Sequence, residues 1–383
     1  TLFPMPTTRT STPSNSWADP SRFVRFLHVE ESCLDLPYTR EIIARSGLPY
    51  DVLSHKDEPS GISGQYPTNL TQGKQHLLLT RNRGQFFKPC PGTPEYRCCD
   101  YQVLNIGMNC PMDCVYCILQ AYLNQPWLSF FVNVDDLFHE LDQSFARDPE
   151  RFIRIGTGEF TDSMALDRLT GLSSKLVSYM ARQPRGVIEL KSKSAVIENL
   201  KGLDHQGRTV MAWSLNATAI MGREELRTAS LDERLAAARQ CADWGYKLAF
   251  HFDPIIDHPG WREGYRTTIA RLFEMVPADQ IAWISLGGLR YLPALKSIGT
   301  SRFPGSTIFY QEFIEGLDHK PRYFRERRVE LYQHIYGLLK ERAHDRTCIY
   351  FCMESDEIWQ SVMGFSLEEQ GGLAKMLDQA VRF

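Results

Sequence analysis

Three cysteines stand within eight positions in the segment CPMDCVYCILQ (110–120): Cys110, Cys114 and Cys117, spaced C-x3-C-x2-C. Three thiolates at this spacing can take three corners of an iron–sulfur cube and leave the fourth iron open. Zinc fits less well, because structural zinc sites want four ligands, usually on paired C-x2-C knuckles. A redox disulfide would need only two of the three. A second segment with chemical content is RIGTGEFTDS (154–163). There Gly156 and Gly158 permit close backbone approach, and Glu159 can accept hydrogen bonds from an ammonium group.

The elements that must position these residues follow from the alternation along the chain. Strand-like runs fall at 103–107, 152–156, 187–191, 209–215, 247–254 and 281–286, with helical stretches between them: NVDDLFHELDQSF, MALDRLTGLSSKLVSYMAR, AVIENLKG, SLDERLAAARQCADWG and YRTTIARLFEMV. Six β-then-α units in series predict a parallel sheet wrapped by helices, a partial (β/α)6 TIM-like barrel in an α/β protein. The cysteine loop follows the first of these strands, at the end where barrel active sites assemble. Asn133 and Ser230 sit where helices should start, and Gly245 where one should stop. Upstream, 22–55 reads as a β-α-β unit whose helix is closed by Gly47, and KQHLLLTRN as a further strand. Residues 1–21, rich in Thr, Ser and Pro, read as a disordered or strapping tail. The expected division is therefore this tail, an N-terminal region 22–100, the barrel 101–290, and a C-terminal extension 291–383 that includes CIYFCME as a strand.

The composition is that of an ordinary globular protein: 383 residues, 43 % hydrophobic, 23 % charged, formal net charge −3. No apolar run approaches the roughly 20 residues of a membrane span, so no membrane partner is expected, and the chain is read as a cytoplasmic monomer. Near-neutral charge leaves only a local basic patch to serve nucleic acid. With ten cysteines in so long a chain and no secretory pattern, reduced thiols or metal ligands are expected rather than a disulfide framework.

The cysteine triplet, with Tyr116 one place before its last member, resembles the signature of the radical S-adenosylmethionine (SAM) superfamily. FLHVEESCLDLPYTREIIARSGLPYDVLSH, CVYCILQAYLNQPWLSFFVNVDDL, SLNATAI and LDERLAAARQCADWGYKLAFHFDPIIDHPGWREGYR are similar, in order, to the spore photoproduct lyase family. The resemblance runs from about residue 22 to at least 290. It implies a [4Fe–4S] cluster on Cys110, Cys114 and Cys117, SAM on the open iron, and an external one-electron reductant such as a flavodoxin or ferredoxin. The implied reaction is reductive cleavage of SAM to a 5′-deoxyadenosyl radical that abstracts hydrogen from a thymine-dimer lesion in DNA. By the same resemblance Gly156, Gly158 and Glu159 hold the methionine amine of SAM, with Tyr116 beside the cluster. Thr161, Lys191 and Ser214 fall at polar SAM contacts, Lys191 facing the SAM carboxylate, and Asn216 follows Ser214 on the same strand face.

Two departures stand out. The lyase family has a hydrogen-donating cysteine at the position aligned with Glu159, and a tyrosine at Ile118. A carboxylate O–H bond is too strong to make a good hydrogen-atom donor, so either the donor has moved or the reaction differs. KPCPGTPEYRCCDY (88–101) and CIYFCMES (348–355) supply Cys90, Cys98, Cys99, Cys348 and Cys352, with Cys98 and Cys99 nominated for catalysis. Three readings of these five stay open: a displaced donor, ligands of a second iron–sulfur cluster, or buried small hydrophobes. On the substrate side Arg290, Arg302, Lys320, Arg322, Arg325 and Arg328, interleaved with aromatics, suit phosphate contact and stacking on an extruded base, although RERRVE also reads as a solvated helix laced with ion pairs. Three functions are thus carried forward. They are a DNA-repair lyase, a radical SAM enzyme on the same scaffold with another nucleotide or small-molecule substrate, and a non-catalytic iron–sulfur DNA-binding or redox-sensing protein.

Overall fold

The computed structural model describes residues 17–93 and 95–382; all but the last few residues of the predicted tail lie outside them. Its main sheet contains the six predicted strands, the first only in part because Gly107 passes to the second sheet: β1 (Gln102–Leu104), β2 (Ile153–Gly156), β3 (Gly186–Ser192), β4 (Thr209–Ser214), β5 (Lys247–Ile255) and β6 (Ile281–Gly288). A seventh, β7 (Cys348–Phe351), pairs parallel to β6. The strand assigned by sequence to the C-terminal extension is thus part of the barrel sheet. Its apolar run CIYF satisfies an edge that would otherwise leave β6 unpaired. On the far edge Phe87–Pro89 adds antiparallel to β1. The two edge strands do not pair with each other, so the sheet is a curled, open half-barrel.

Parallel neighbours require crossovers, and these are helices except between β3 and β4. Val134–Arg147 (α1) joins β1 to β2, Leu172–Met180 (α2) lies before β3, Leu231–Asp243 (α3) before β5, Trp261–Met275 (α4) before β6, and Arg325–Lys340 (α5) before β7. Ser230 starts α3 with a reciprocal capping box: its hydroxyl accepts from Glu233 N–H at 3.3 Å, and the Glu233 carboxylate accepts from Ser230 N–H at 2.7 Å. Two predicted helices are shorter than expected. MALDRLTGLSSKLVSYMAR breaks at Gly171, whose φ of +62° turns the chain between Asp167–Thr170 and α2. AVIENLKG forms only the 3-10 turn Glu198–Leu200, because neighbouring side-chain bonds from Ser192 and Ser194 hold the preceding backbone out of helix.

A second sheet carries the N-terminal β-α-β unit: Tyr50–Leu53, Phe26–Glu30, His76–Thr80 and Leu128–Phe131 run parallel, with Gly107–Met108 antiparallel at the end. Leu128–Phe131 was not separated from its surroundings by sequence pattern, since all four residues are buried and show no alternation. One continuous core joins both sheets, with Leu77, Leu79, Leu128, Ile155 and Phe250 among its buried members. Among the described residues no helix is long and apolar enough to cross a membrane.

Candidate active site at the strand ends

Period two along the barrel strands sends alternate residues into the lumen, and here several of them are polar. Glu189 lies in register with Gly156, Ser214 with His251, and His251 with Ser285. Glu189 Oε1 accepts from His251 Nε2 at 2.7 Å and Trp283 Nε1 at 2.8 Å, and Oε2 accepts from the Tyr101 hydroxyl at 3.2 Å. Burial alone would raise this carboxyl, but His251, Lys191 and Trp283 together outweigh it and hold it at about 2. The phenol of Tyr101 fills the space in front of Gly156, where a Cβ would fall 1.1 Å from its oxygen. Sequence reasoning missed this group, though the odd-numbered polar residues of FHFD (250–253) and IELK (188–191) carried the signal.

Above this layer lie the nominated SAM residues. A Cβ at Gly158 would come 3.2 Å from Lys191 Cε, so that glycine admits the lysine stem. Burial would lower the Lys191 ammonium, yet Glu159, Glu189 and Asp253 together outweigh it and raise it. Asp253 is itself gripped by Arg290 at 3.1 and 3.2 Å, and Arg290 also reaches Cys352 Sγ at 3.3 Å. Glu159, Lys191, Asp253, Arg290 and Cys352 therefore form one cluster of interacting groups. Thr161 and Ser214 line the same strand ends and are buried. Asn216 is brought to that end but is committed to the fold: Nδ2 donates to the Pro254 carbonyl, and Oδ1 accepts from the Tyr265 hydroxyl at 2.7 Å. The unpredicted Asp162 is the hinge of the region. It accepts from Met164 and Ala165 N–H, from the Ser192 hydroxyl and from Lys193 N–H, tying the loop after β2 to the end of β3.

The cysteine loop is pinned from four directions. Asn109, at φ +69°, donates its N–H to the Phe160 carbonyl and accepts from Cys110 N–H with its side chain, joining this loop to the GTGEF loop. Asp113–Cys114 pairs antiparallel with Glu225–Leu226. The amide of Gln120 donates to the Cys114 and Val115 carbonyls, both at 3.0 Å. The Tyr116 hydroxyl donates to Glu225, which also takes Arg234 at 2.6 Å. Burial pushes the Cys114 thiol up to about 12 and that of Cys110 well above its ordinary value, so neither ionises at neutral pH without a cation or metal.

Cations are in excess there. Asp113 is surrounded by Lys74 at 3.0 Å, Arg302 at 2.8 Å and Arg227 at 3.1 Å. Burial would raise this carboxyl, but the three cations hold it well below the usual range. Arg227 meets Asp113 through Nη2 and donates through Nε to the Pro111 carbonyl at 2.9 Å. Three positive charges around the single carboxylate of Asp113 fit an anionic thiolate-bound cluster. Among the described residues no three His, Cys, Asp or Glu side chains converge tightly enough to hold a single metal ion, and the ligands of a cube, each on its own iron, need not do so.

The nominated nucleic-acid residues prove to be partnered. Arg290 holds Asp253, Arg302 holds Asp113, Lys320 and Arg322 share Asp318, Arg325 pairs with Glu357 and Arg328 with Glu354. Only Arg325 keeps a largely exposed side chain, at 60 %. Four of these carboxylates come from segments outside 290–328, which is why the local charge count suggested an unpaired basic face.

Cys98 and Cys99 diverge. Cys98 is exposed, whereas Cys99 is turned inward beside Cys352, and Cys90 lies next to Cys98 and Glu159. Cys348, in β7, is buried, as are Cys33 and Cys241.

An open half-barrel with a three-cysteine loop and a glycine–carboxylate loop at the same strand ends defines a radical SAM protein. The spore photoproduct lyase family model matches residues 95–313, and the chain belongs to that family. It is 24 % identical over 337 residues to the spore photoproduct lyase of Geobacillus sp. (strain Y412MC61), covering 84 % of this chain and 93 % of that protein. The lyase of Bacillus subtilis (strain 168) is also 24 % identical over 337 residues, at 83 % and 92 % coverage. Among solved structures, a spore photoproduct lyase double mutant with bound AdoMet and dinucleoside spore photoproduct superposes with a TM-score of 0.77. The two are 22 % identical, with 85 % of this chain and 98 % of that one covered.

Proposed function

We propose that this protein is a radical SAM lyase that splits a thymine-dimer lesion in DNA, with its hydrogen donor moved away from position 159. The observation that carries the reading is the cation-rich three-cysteine loop, held directly against the loop bearing Gly156, Gly158 and Glu159. When bound, a reduced [4Fe–4S] cluster on Cys110, Cys114 and Cys117 together with SAM supplies a 5′-deoxyadenosyl radical. Around it, Glu159 accepts from the methionine ammonium and Lys191 pairs with the carboxylate, its stem admitted by Gly158, while Gly156 gives its space to the Tyr101 phenol beneath them. Thr161 and Ser214 offer hydroxyls from neighbouring strand ends. Tyr116, locked to Glu225, fixes the orientation of the loop between Cys114 and Cys117.

Hydrogen return falls to a thiol on the inner side, Cys352 with Cys99 behind it. Burial pushes Cys352 up to about 11, so the sulfur keeps its hydrogen at neutral pH. That hydrogen atom passes to the product carbon radical, and the remaining sulfur radical regains S–H by one electron and one proton. The electron comes from the same class of external reductant, a flavodoxin or ferredoxin. Of the nominated DNA contacts, Arg325 is the one assigned to a phosphate, its side chain being largely exposed although it pairs with Glu357.

A second reading, another nucleotide or a small molecule as substrate, draws on Glu159 and on the ion-paired arginines. The deciding experiment uses anaerobically reconstituted, dithionite-reduced protein with SAM and a dinucleotide carrying the spore photoproduct. 5′-Deoxyadenosine and thymidylyl-thymidine are quantified together. Both products support the lyase; deoxyadenosine alone supports the second reading; neither product overturns both and favours a non-catalytic iron–sulfur protein.

A further inference from the structure

The segment between the edge strand Phe87–Pro89 and β1 forms a clasp over the open seam of the half-barrel. Arg97 N–H donates to the Glu354 carbonyl at 3.2 Å, a single bridge to the chain leaving β7 at the opposite edge. The Arg97 guanidinium clamps Asp356 at 2.7 and 2.5 Å, and Arg154 holds the Cys99 carbonyl at 2.6 Å. The clasp folds back on itself. Cys90 N–H donates to the Tyr101 carbonyl at 2.9 Å, and Gly92 N–H to the Cys90 carbonyl at 2.7 Å. A Cβ at Gly92 would meet Cys98 Sγ at 3.0 Å. Residues 90–92 and the Cys98 sulfur are therefore in contact, although the two cysteines stand eight positions apart.

Within this clasp the three thiols differ in access. Cys98 is the exposed one and lines a cavity of about 860 Å³ between the clasp, the hairpin around Ile314–Leu317, and Arg325 and Asp356. Cys90 is half-buried behind it. The side chains of Cys90 and Cys99 and the backbone N–H groups of Asp100 and Cys99 all face the Cys98 sulfur and favour its thiolate, while Cys90 is correspondingly held protonated. An accessible thiolate backed by a protonated second thiol is the arrangement that attacks and then resolves a disulfide.

We infer that Cys98 and Cys90 form a redox-active pair in which Cys98 reacts with small-molecule disulfides and Cys90 resolves the product, locking the seam clasp with an internal disulfide. In the first step the Cys98 thiolate attacks RSSR, forming Cys98–S–SR and releasing RS⁻. In the second, the Cys90 sulfur displaces RS⁻ from Cys98, and the Cys90 proton leaves with it as RSH. The two thiols are oxidised by two electrons and the disulfide is reduced by two. Neither step draws on the cluster or SAM, so the pair operates whether or not the lyase reading holds.

The test uses anaerobically reconstituted full-length protein treated with oxidised glutathione, quenched with iodoacetamide and mapped by mass spectrometry; cleavage at Arg97 separates the two cysteines. The expected result is a Cys90–Cys98 disulfide with two equivalents of reduced glutathione released per chain. Cys90→Ser should stop at one glutathione on Cys98, and Cys98→Ser should release none from this loop. Without oxidant, iodoacetamide should label Cys98 at a nearly constant rate from pH 6 to 8, whereas an ordinary thiol of pKa near 8.5 would gain roughly 75-fold. A Cys98–Cys99 linkage, equal glutathionylation in Cys98→Ser, or an ordinary pH profile at Cys98 would overturn the inference.

Discussion

Replacing Asp113 by Asn removes one charge from the centre of the cysteine loop and leaves the side-chain shape intact. Lys74 and Arg302 lie 3.0 and 2.8 Å from this carboxylate with side chains only 1 % and 4 % exposed. Solvent therefore screens neither contact appreciably. Breaking a buried ion pair on one side costs about 3–5 kcal/mol, because the partner charge stays buried and uncompensated. Two cations are so stranded here, with Arg227 as a third at the margin, which places Asp113→Asn at the upper end of that range. Urea unfolding of wild type and variant measures the difference directly, without adding salt. The Lys74→Met variant and the double variant complete a cycle. The double variant should be less destabilised than the sum of the singles by about 1–3 kcal/mol, since it removes one stranded charge. Acid gives an independent check. The folded pKa of Asp113 lies below its unfolded value of about 4, so its contribution is fully present above that value and is lost as pH falls through the folded pKa. The unfolding free energy of Asp113→Asn should therefore fall less between pH 5 and 3 than that of wild type. A cost below about 1 kcal/mol, the range of surface pairs, would refute the account of this loop as a buried charge cluster.

Three further outcomes follow from the same geometry. Cys114→Ala should abolish the brown colour of reconstituted protein and all reductant-dependent SAM cleavage, read by absorbance and by 5′-deoxyadenosine yield; retained cleavage would sink the cluster assignment. Glu159→Gln should weaken SAM binding about tenfold or more in calorimetry of the reconstituted protein, the value of one charge-assisted hydrogen bond, and unchanged affinity would remove Glu159 from the SAM pocket. Gly156→Ala would drive a methyl group into the Tyr101 hydroxyl. It should cost about 1–3 kcal/mol of stability by overpacking, with Tyr101→Phe in the same chain recovering part of it; a neutral Gly156→Ala would mean that the lumen is looser than described.

Local pattern accounts for much of the fold and for the existence of the site. Apolar runs of strand length separated by amphipathic helices placed the six barrel strands, and Ser230 marked the start of α3, because both signals lie within a few residues. The C-x3-C-x2-C spacing carried its own chemistry, since ligands for one cluster must be close along the chain to share a loop. The seventh strand was read as a strand but not as a barrel member. Nothing in CIYF distinguishes an added edge from an independent extension until its partner is known.

The tertiary structure alone decided how the charges and thiols are used. Arg302 looked like a phosphate contact until it met Asp113, 189 residues away, and Arg290 until it met Asp253. Tyr116 finds Glu225 at a separation of 109. Cys98 and Cys99 are neighbours in sequence, yet one lines a solvent cavity and the other is turned in beside Cys352. Backbone periodicity and metal-ligand spacing are short-range constraints and leave a mark on a single stretch of residues. Charge compensation and thiol reactivity depend on which distant groups the folded chain brings within a few ångströms, and that information exists only once the sheet has curled and the chain has folded across its open seam.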